Sequence, residues 1–274
     1  MKKLEGRVAL VTGAGRGIGL ALAKKLAAEG ARLIINDLDE QPAAEAAHSL
    51  IADGAEVEIC VGSITAADFP KHFVSTAIER FGTVDILVNN AGYVWNGPVA
   101  KITDEQWDSM QDVHLKAPFR LLRELHPFLR SRVAEESAAG TRVQRKIVNI
   151  SSVAASRGIA GQAAYSAAKS GLFGFTRTLA REWGPLNVNI NCVAFGLIDT
   201  RLTQEIKNET DILVEGRRHR VGLPREALED LKSRIPLRRA GTVEEAAGAI
   251  LLFCLPESDY ITGQVLEVDG GGLG

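Results

Sequence analysis

The chain has 274 residues, 46% hydrophobic and 24% charged, and its 32 Lys+Arg against 34 Asp+Glu leave a formal net charge of -2. A composition so close to that of average globular domains supports a sizeable core and excludes a mainly disordered chain. The near-neutral balance offers no global attraction for nucleic acid or for an anionic membrane.

The first residues, Met1-Lys2-Lys3-Leu4-Glu5-Gly6, are basic but turn straight into a strand-like run with no small-residue cleavage site, so no signal peptide is expected. A β-rich run at Val8–Val11 leads into Thr12-Gly13-Ala14-Gly15-Arg16-Gly17-Ile18-Gly19 and then into a helical stripe of Leu20, Leu22, Leu26 and Ala27. Glycines at such a strand-to-helix turn let backbone N–H groups approach a pyrophosphate seated on the positive helix end. Gly13, Arg16, Gly17, Ile18 and Gly19 are therefore candidate cofactor contacts, although a tight connection without ligand would use the same residues. The second strand supplies the discriminating signal. Leu33–Ile35 runs into Asn36-Asp37-Leu38, with Asp37 24 positions after Gly13, near the spacing at which an acidic residue meets the adenosine ribose. Its carboxylate can accept from both ribose hydroxyls and repels a 2′-phosphate, so NAD is expected over NADP, with Leu38 beside it. Arg16 pulls the other way, because a guanidinium there can pair a 2′-phosphate.

Further apolar runs occur at Val57–Val61, Ile86–Val88, Ile147–Ile150, Val188–Val193 and Val265–Val268, separated by segments with helical spacing such as Ala77, Ile78 and Phe81. Continuous apolar strands are buried on both faces, and helical crossovers make parallel pairs. The pattern predicts an α/β fold over residues 1–274, a single-domain Rossmann-type three-layer sandwich whose mainly parallel sheet has about seven strands. Two segments break the rhythm. Residues 131–145 are polar and read as a surface loop extending a helix end. Residues 201–240 carry charged, helix-forming stretches, Pro224 and Pro236 and no strand signal; they read as a substrate lid over the carboxyl edge of the sheet, or else as an oligomer contact or surface excursion. The longest apolar stretch, Ala246 to Leu255, is too short to span a bilayer. Cys60, Cys192 and Cys254 stand far apart and in no Cys-x-x-Cys spacing, which argues against disulfides and zinc and for a reducing, cytoplasmic setting.

The chemical signal lies in the second half. Tyr165 and Lys169 are spaced i, i+4, on one face of a helix, and Ser152 comes after the fifth strand, 13 positions before the tyrosine. Singly, these residues read as a helix surface pair and a cap or turn former. Together they suit hydride transfer, since a ketone that receives hydride becomes an alkoxide and needs a proton. A phenol near pKa 10 is a poor shuttle at neutral pH; a neighbouring ammonium and a positive nicotinamide ring favour its ionised form. Tyr165 is then the acid/base, Lys169 its electrostatic partner and Ser152 a donor that polarises the carbonyl.

In order and over nearly the whole chain, these motifs, with Asn89-Asn90-Ala91-Gly92, Phe195-Gly196-Leu197-Ile198-Asp199-Thr200 and Thr262-Gly263-Gln264-Val265 through Gly270-Gly271, resemble the short-chain dehydrogenase/reductase family. The stretches Ile147–Val153, Gly161–Lys169 and Ile198–Thr203 are most similar to 3-oxoacyl-carrier-protein reductases. The resemblance implies pyrophosphate contacts at Gly13, Gly17 and Gly19, adenine contacts at Ser63 and Ile64, and a strand-end role for Asn90. It also implies nicotinamide-ribose contacts from Tyr165 and Lys169, carboxamide and pyrophosphate contacts from Ile198 and Thr200, and a homotetramer or homodimer. Three positions depart from the pattern: Ser63 stands where Asp is common, Phe195 where Pro usually precedes the glycine, and His114 where a helix asparagine completes the catalytic set. That asparagine is thought to hold a water linking the lysine to solvent. An imidazole also has a donor and an acceptor, so His114 is a candidate catalytic relay, or else a histidine satisfied within a helix–sheet interface.

The expected substrate is a small carbonyl or alcohol compound, foremost a 3-oxoacyl thioester on coenzyme A or a carrier protein. The run Arg217-Arg218-His219-Arg220, with Lys232, Arg234, Arg238 and Arg239, can meet such an acidic partner or be a solvated helix face. The alternatives are a dehydrogenase of a hydrophobic secondary alcohol, such as a steroid or cyclic alcohol, and a non-catalytic nucleotide sensor, which would not need an acid/base tyrosine. No nucleic-acid motif is present, and His48, His72, His126 and His219 lack metal-ligand spacing.

Overall fold

The computed structural model describes residues 2–206 and 211–272, so residues 207–210 of the segment read as a lid lie outside the described residues. In chain order the elements are β1 (Val8–Val11), α1 (Gly17–Ala28), β2 (Arg32–Asp37), α2 (Glu40–Ala52), β3 (Val57–Val61), α3 (Phe69–Phe81) and β4 (Ile86–Asn89). Next come α4 (Asp104–Gln111), a π-helical turn at Asp112–Lys116, α5 (Ala117–Ala138), β5 (Arg145–Ser152), α6 (Ala154–Arg157), α7 (Ala163–Trp183) and β6 (Val188–Phe195). The last are β7 (Asp211–Val214), β8 (Arg217–Arg220), α8 (Arg225–Arg234), α9 (Val243–Cys254) and β9 (Val265–Val268).

Seven strands form one sheet in the order β3-β2-β1-β4-β5-β6-β9, every adjacent pair parallel. Along a strand the side chains alternate between faces, and the two cores divide accordingly. Ala9, Val11, Leu33 and Ile35 pack with Leu22 and Leu26 of α1 and Ile250 and Phe253 of α9. Val8, Leu10 and Ile34 pack with Phe73 of α3, Leu121 and Leu125 of α5 and Trp183 of α7. Because the chain runs outward from β1 in one direction and resumes at β4 in the other, the strand order reverses between these two neighbours, and the crevice outside their carboxyl ends is where an open α/β sheet takes its ligand.

Two expectations need correction. Residues 131–145 are a loop only over 139–144: α5 continues to Ala138, and Arg145 already belongs to β5. Two of the segment's charges form a buried ion pair, with Arg145 donating to both carboxylate oxygens of Glu136, the Nη1–Oε2 distance being 3.1 Å, and with Asp85 Oδ1 3.9 Å from Nε. Within 201–240, β7 and β8 form an antiparallel hairpin around Glu215 and Gly216, whose φ angles of 49° and 81° suit a two-residue turn of the primed type. No helix among the described residues is long and apolar enough to cross a membrane.

Candidate active site

Close packing dictates the glycine turn between β1 and α1. A Cβ on Gly13 would stand 2.8 Å from Ala91 Cα, and one on Gly19 only 2.2 Å from Gly13 O and 2.6 Å from Asn90 Nδ2. Asn90 locks the turn, its Nδ2 donating to Thr12 O (2.9 Å) and Gly13 O (3.0 Å), while Thr12 Oγ1 accepts from the amides of Asn90 (3.0 Å) and Ala91 (3.1 Å). The ends of β1 and β4 are thereby sewn together at the switch point. Gly17 differs: it has φ of 56° and nothing within 4 Å of a Cβ, so it faces open space at the start of α1. The first intrahelical amide there is that of Leu20, donating to Arg16 O, and the amides of Gly17, Ile18 and Gly19 ahead of it form the donor-rich end that suits a phosphate. The open cradle at Gly17 fits a dinucleotide.

Asp37, at the end of β2, is 8% exposed. Its Oδ2 accepts from Gly15 N (3.0 Å) and its Oδ1 from Asp39 N (3.2 Å), so the carboxylate is aimed at the glycine turn, with Leu38 next to it. Arg16 reaches the same spot, 3.9 Å from Asp37 Oδ1 and 2.6 Å from Asp39 Oδ2. Beyond β3, Ser63 Oγ lies 2.7 Å from Thr65 Oγ1, accepts from Thr65 N (3.2 Å) and donates to Glu215 Oε1 on the hairpin. Ile64 beside it is buried.

Ser152 ends β5, and α7 brings Tyr165 and Lys169 opposite it. Lys169 is 5% exposed; its Nζ donates to Ile150 O (2.6 Å) and sits 5.8 Å from the Tyr165 ring centroid. The helix is pinned to the strand by Ser151 Oγ donating to Lys169 O (2.9 Å). Burial lowers Lys169 to about 8. Burial also pushes the Tyr165 phenol up to about 12, with a hydrogen bond from Ser152 pulling it part of the way back. The downward shift expected for Tyr165 is thus absent from the protein alone, because desolvation of the phenolate outweighs the help of its neighbours.

His114 is buried inside the π-helical turn. Its Nε2 lies 2.7 Å from Tyr93 O; a carbonyl only accepts, so Nε2 carries the hydrogen. Nδ1 has no hydrogen-bond partner. The ring meets Tyr165 edge-on, centroids 5.1 Å apart at 89°, and burial together with the Lys169 charge holds its pKa well below the usual histidine value, so it is neutral at pH 7. The structure thus sets the His114 ring against Tyr165; the Tyr93 carbonyl that holds it was not legible in the sequence.

Ile198 is buried, and Thr200 N donates to Thr203 Oγ1 (3.1 Å). Beside them a cavity of about 350 Å³ opens between Leu197, Asp199, Thr203 and Gln204 on one side and Leu228 and Lys232 of α8 on the other. Four charges of the basic segment are paired with acids, Lys232 with Glu229 and Arg234 with Asp230 inside it, Arg239 with Glu245 of α9 and Arg217 with Glu105 of α4. His219 is buried rather than solvated, its ring against Tyr93 (4.8 Å) and Trp95 (4.5 Å). No signal in the sequence marked Glu215, Tyr93 or Trp95. Among the described residues no group of three or more His, Cys, Asp or Glu is placed to hold a metal ion.

The model of a protein family described as enoyl-(acyl carrier protein) reductase matches residues 13–272. The chain is 36% identical to the 3-oxoacyl-(acyl-carrier-protein) reductase FabG of Thermotoga maritima, over 98% of either chain. It is also 36% identical to the short-chain reductase protein NovJ of Streptomyces niveus, over 96% of this chain and 93% of that one. A crystal structure described as a short-chain dehydrogenase/reductase, glucose/ribitol dehydrogenase, from Brucella melitensis superposes with a TM-score of 0.81 at 29% identity over the full length of both chains.

Proposed function

The chain belongs to the short-chain dehydrogenase/reductase family of oxidoreductases, and from that premise we propose that it reduces a 3-oxoacyl thioester to the 3-hydroxyacyl thioester with NADH, in the cytoplasm and as a homotetramer or homodimer. The observation that carries the reading is the convergence of Ser152, Tyr165 and a buried Lys169 at the carboxyl edge of the sheet beside the glycine turn. Bound nicotinamide dinucleotide supplies the hydride. The amides of Gly17, Ile18 and Gly19 would hold its pyrophosphate, with Gly13 and Asn90 shaping the turn. Asp37 and Leu38 would meet the adenosine ribose, Ser63 and Ile64 the adenine end, Tyr165 and Lys169 the nicotinamide ribose, and Ile198 and Thr200 the carboxamide region.

The protonation states suit the reducing direction. A phenol pushed up to about 12 carries its proton at neutral pH and can give it to the oxygen that becomes the alcohol. The phenolate left behind faces the Lys169 ammonium, and the Ser152 hydroxyl donates to the carbonyl oxygen while charge grows on it. His114, through its free Nδ1, would accept from a water on the route between Lys169 and solvent. NADH is favoured over NADPH because a buried Asp37 carboxylate would stand against a 2′-phosphate, and the Arg16 guanidinium is already engaged by Asp39. Residues 201–240, with the hairpin seated on Tyr93, Trp95 and Glu105, would form the lid. The similarity to 3-oxoacyl-(acyl-carrier-protein) reductases supports an acyl-carrier substrate.

A parallel spectrophotometric screen of 3-oxoacyl thioesters, simple ketones, steroids and cyclic alcohols with NADH and NADPH tests the proposal, on the wild type and on Tyr165→Phe. Turnover of the thioester with NADH, lowered by about 10³-fold in the variant, is expected. Turnover of steroids or cyclic alcohols alone would replace the substrate, preference for NADPH would overturn the role of Asp37, and dinucleotide binding without turnover of any compound would leave a sensor.

A further inference from the structure

In the crevice of a doubly wound sheet, the ribose that meets the carboxylate ending β2 carries its base onward to the next strand end. Here that is the end of β3, where Ser63, Ile64 and Thr65 stand. An adenine brings an exocyclic amine, and a site that buries it must offer an acceptor or leave it unpaired at a cost. Ser63 is poorly placed to be that acceptor. A hydroxyl has one hydrogen and two lone pairs; that of Ser63 gives its hydrogen to Glu215 Oε1 and accepts from Thr65 N (3.2 Å), and Thr65 Oγ1, 2.7 Å away with its own hydrogen on Glu215, crowds what is left.

The acceptor capacity at this edge belongs to Glu215. Its Oε1 takes the hydroxyl hydrogens of both Ser63 and Thr65, the latter at 3.0 Å, and a carboxylate has about four lone-pair sites in all. The side chain reaches there from 152 positions along the chain because it sits at the turn of the β7–β8 hairpin, in a left-handed conformation with φ of 49° that non-glycine residues seldom adopt. The hairpin is seated at two further points, by Arg217 on Glu105 of α4 and by His219 against Tyr93 and Trp95.

We infer that Glu215 is the residue that selects the adenine of the dinucleotide, accepting from its amine, while Ser63 and Thr65 serve as the seat that aims the carboxylate. The inference rests on the dinucleotide reading proposed for the crevice. It makes recognition of the base and seating of the hairpin a single event, since the group that reads the base arrives with the hairpin.

The test compares the full-length wild type, Glu215→Gln and Glu215→Ala in binding NADH and reduced nicotinamide hypoxanthine dinucleotide, in which a carbonyl oxygen replaces the amine. The wild type is expected to bind the adenine form about tenfold more tightly. Alanine should abolish that preference, and glutamine, whose amide can donate to the carbonyl, should narrow or reverse it. Position 215 is exposed at a turn, and unchanged thermal unfolding of both variants confirms that they fold. A preference that is the same in all three proteins, or a wild type that binds both dinucleotides equally, overturns the role of Glu215 alone. A wild type that binds neither overturns the dinucleotide reading and this one with it.

Discussion

A methyl group added at position 92 would reach Tyr165 without touching it. The Cβ of Gly92→Ala would stand 2.4 Å from Cε1 and 2.9 Å from Nδ1 of His114, whereas carbon atoms in contact settle at about 3.5–4.0 Å. The imidazole must therefore retreat by about 1 Å. Retreat from the 91–93 backbone stretches the 2.7 Å bond to Tyr93 O past the range of about 3.2 Å in which it counts as a hydrogen bond. Loss of that bond, at about 1 kcal/mol, and the overpacking, at about 1–3 kcal/mol, give an expected destabilisation of about 2–4 kcal/mol. The ring cannot move without pressing on Tyr165, against which its edge is packed, and a displacement of that size at a proton donor is expected to lower kcat by about 10- to 100-fold. Urea denaturation and steady-state reduction of a 3-oxoacyl thioester measure the two effects. His114→Ala combined with Gly92→Ala supplies the control, because removal of the ring leaves room for the methyl group; the double variant should be as stable and as active as His114→Ala alone, a coupling of about 2–4 kcal/mol. Additive losses in the double variant, or a Gly92→Ala protein with wild-type stability and kcat, would refute the steric chain from residue 92 to residue 165.

Two further outcomes are expected. Because burial lowers Lys169 to about 8 while Tyr165 stays protonated up to about 12, the rate of reduction should fall as pH rises through about 8 and the ammonium beside the phenol is lost. Stability runs the opposite way: between 8 and 10.5 the unfolded lysine holds its proton and the native one does not, so the contribution of this group to stability grows with pH across that window. Activity should therefore fall while the wild-type urea midpoint rises relative to that of Lys169→Met, a comparison that cancels Cys60, Cys192, Cys254 and Tyr165, whose raised pKa values take stability away at alkaline pH, and in Lys169→Arg, whose guanidinium keeps its charge, the alkaline fall in rate should vanish; a fall that persists there would assign it to another group. Glu136→Ala strands the guanidinium of Arg145, 2% exposed, with only Asp85 at 3.9 Å; about 3 kcal/mol of stability should be lost in urea unfolding, and a loss below about 1 kcal/mol would show that the charge regains water.

How much could be read before the fold was known depended on whether a residue's partner lay close in sequence or obeyed a period. The central strands of the main sheet announced themselves because burial on both faces makes them continuously apolar, as Val8–Val11 and Leu33–Ile35 are. Glycines at 13, 17 and 19 and the Tyr165–Lys169 interval are local spacings, and each fell where the spacing put it. The β7–β8 hairpin escaped because, among the described side chains of its two strands, only those of Ile212 and His219 are buried, facing one another in register among exposed neighbours, so neither alternation nor an apolar run was available to find. The end of α5 escaped because Glu136 and Arg145 look like solvated charges until the fold brings them together. For Tyr165, likewise, spacing reveals a neighbouring charge but not the depth at which both groups are set, so the upward shift in the protein alone was not legible.

The π-helical turn at Asp112–Lys116 has a bearing on which lengths of chain this fold can accept. An α-helix advances 3.6 residues per turn, and a π-helical turn accommodates an additional residue without shortening the helix beyond it. Upstream, α4 is fixed by its capping box at Thr103 and Gln106; downstream, α5 directs Leu121, Leu122, Leu125 and Leu129 into the sheet. Excising one residue between them, with the backbone relaxed to an unbroken α-helix, would leave the later leucines facing the sheet, because the widened turn spends about one residue more on the same rotation; what would be lost is the present placement of His114. The widened turn thus works as a phase adjuster: it lets one residue face the chemistry while the helix on either side keeps its own grip on the protein.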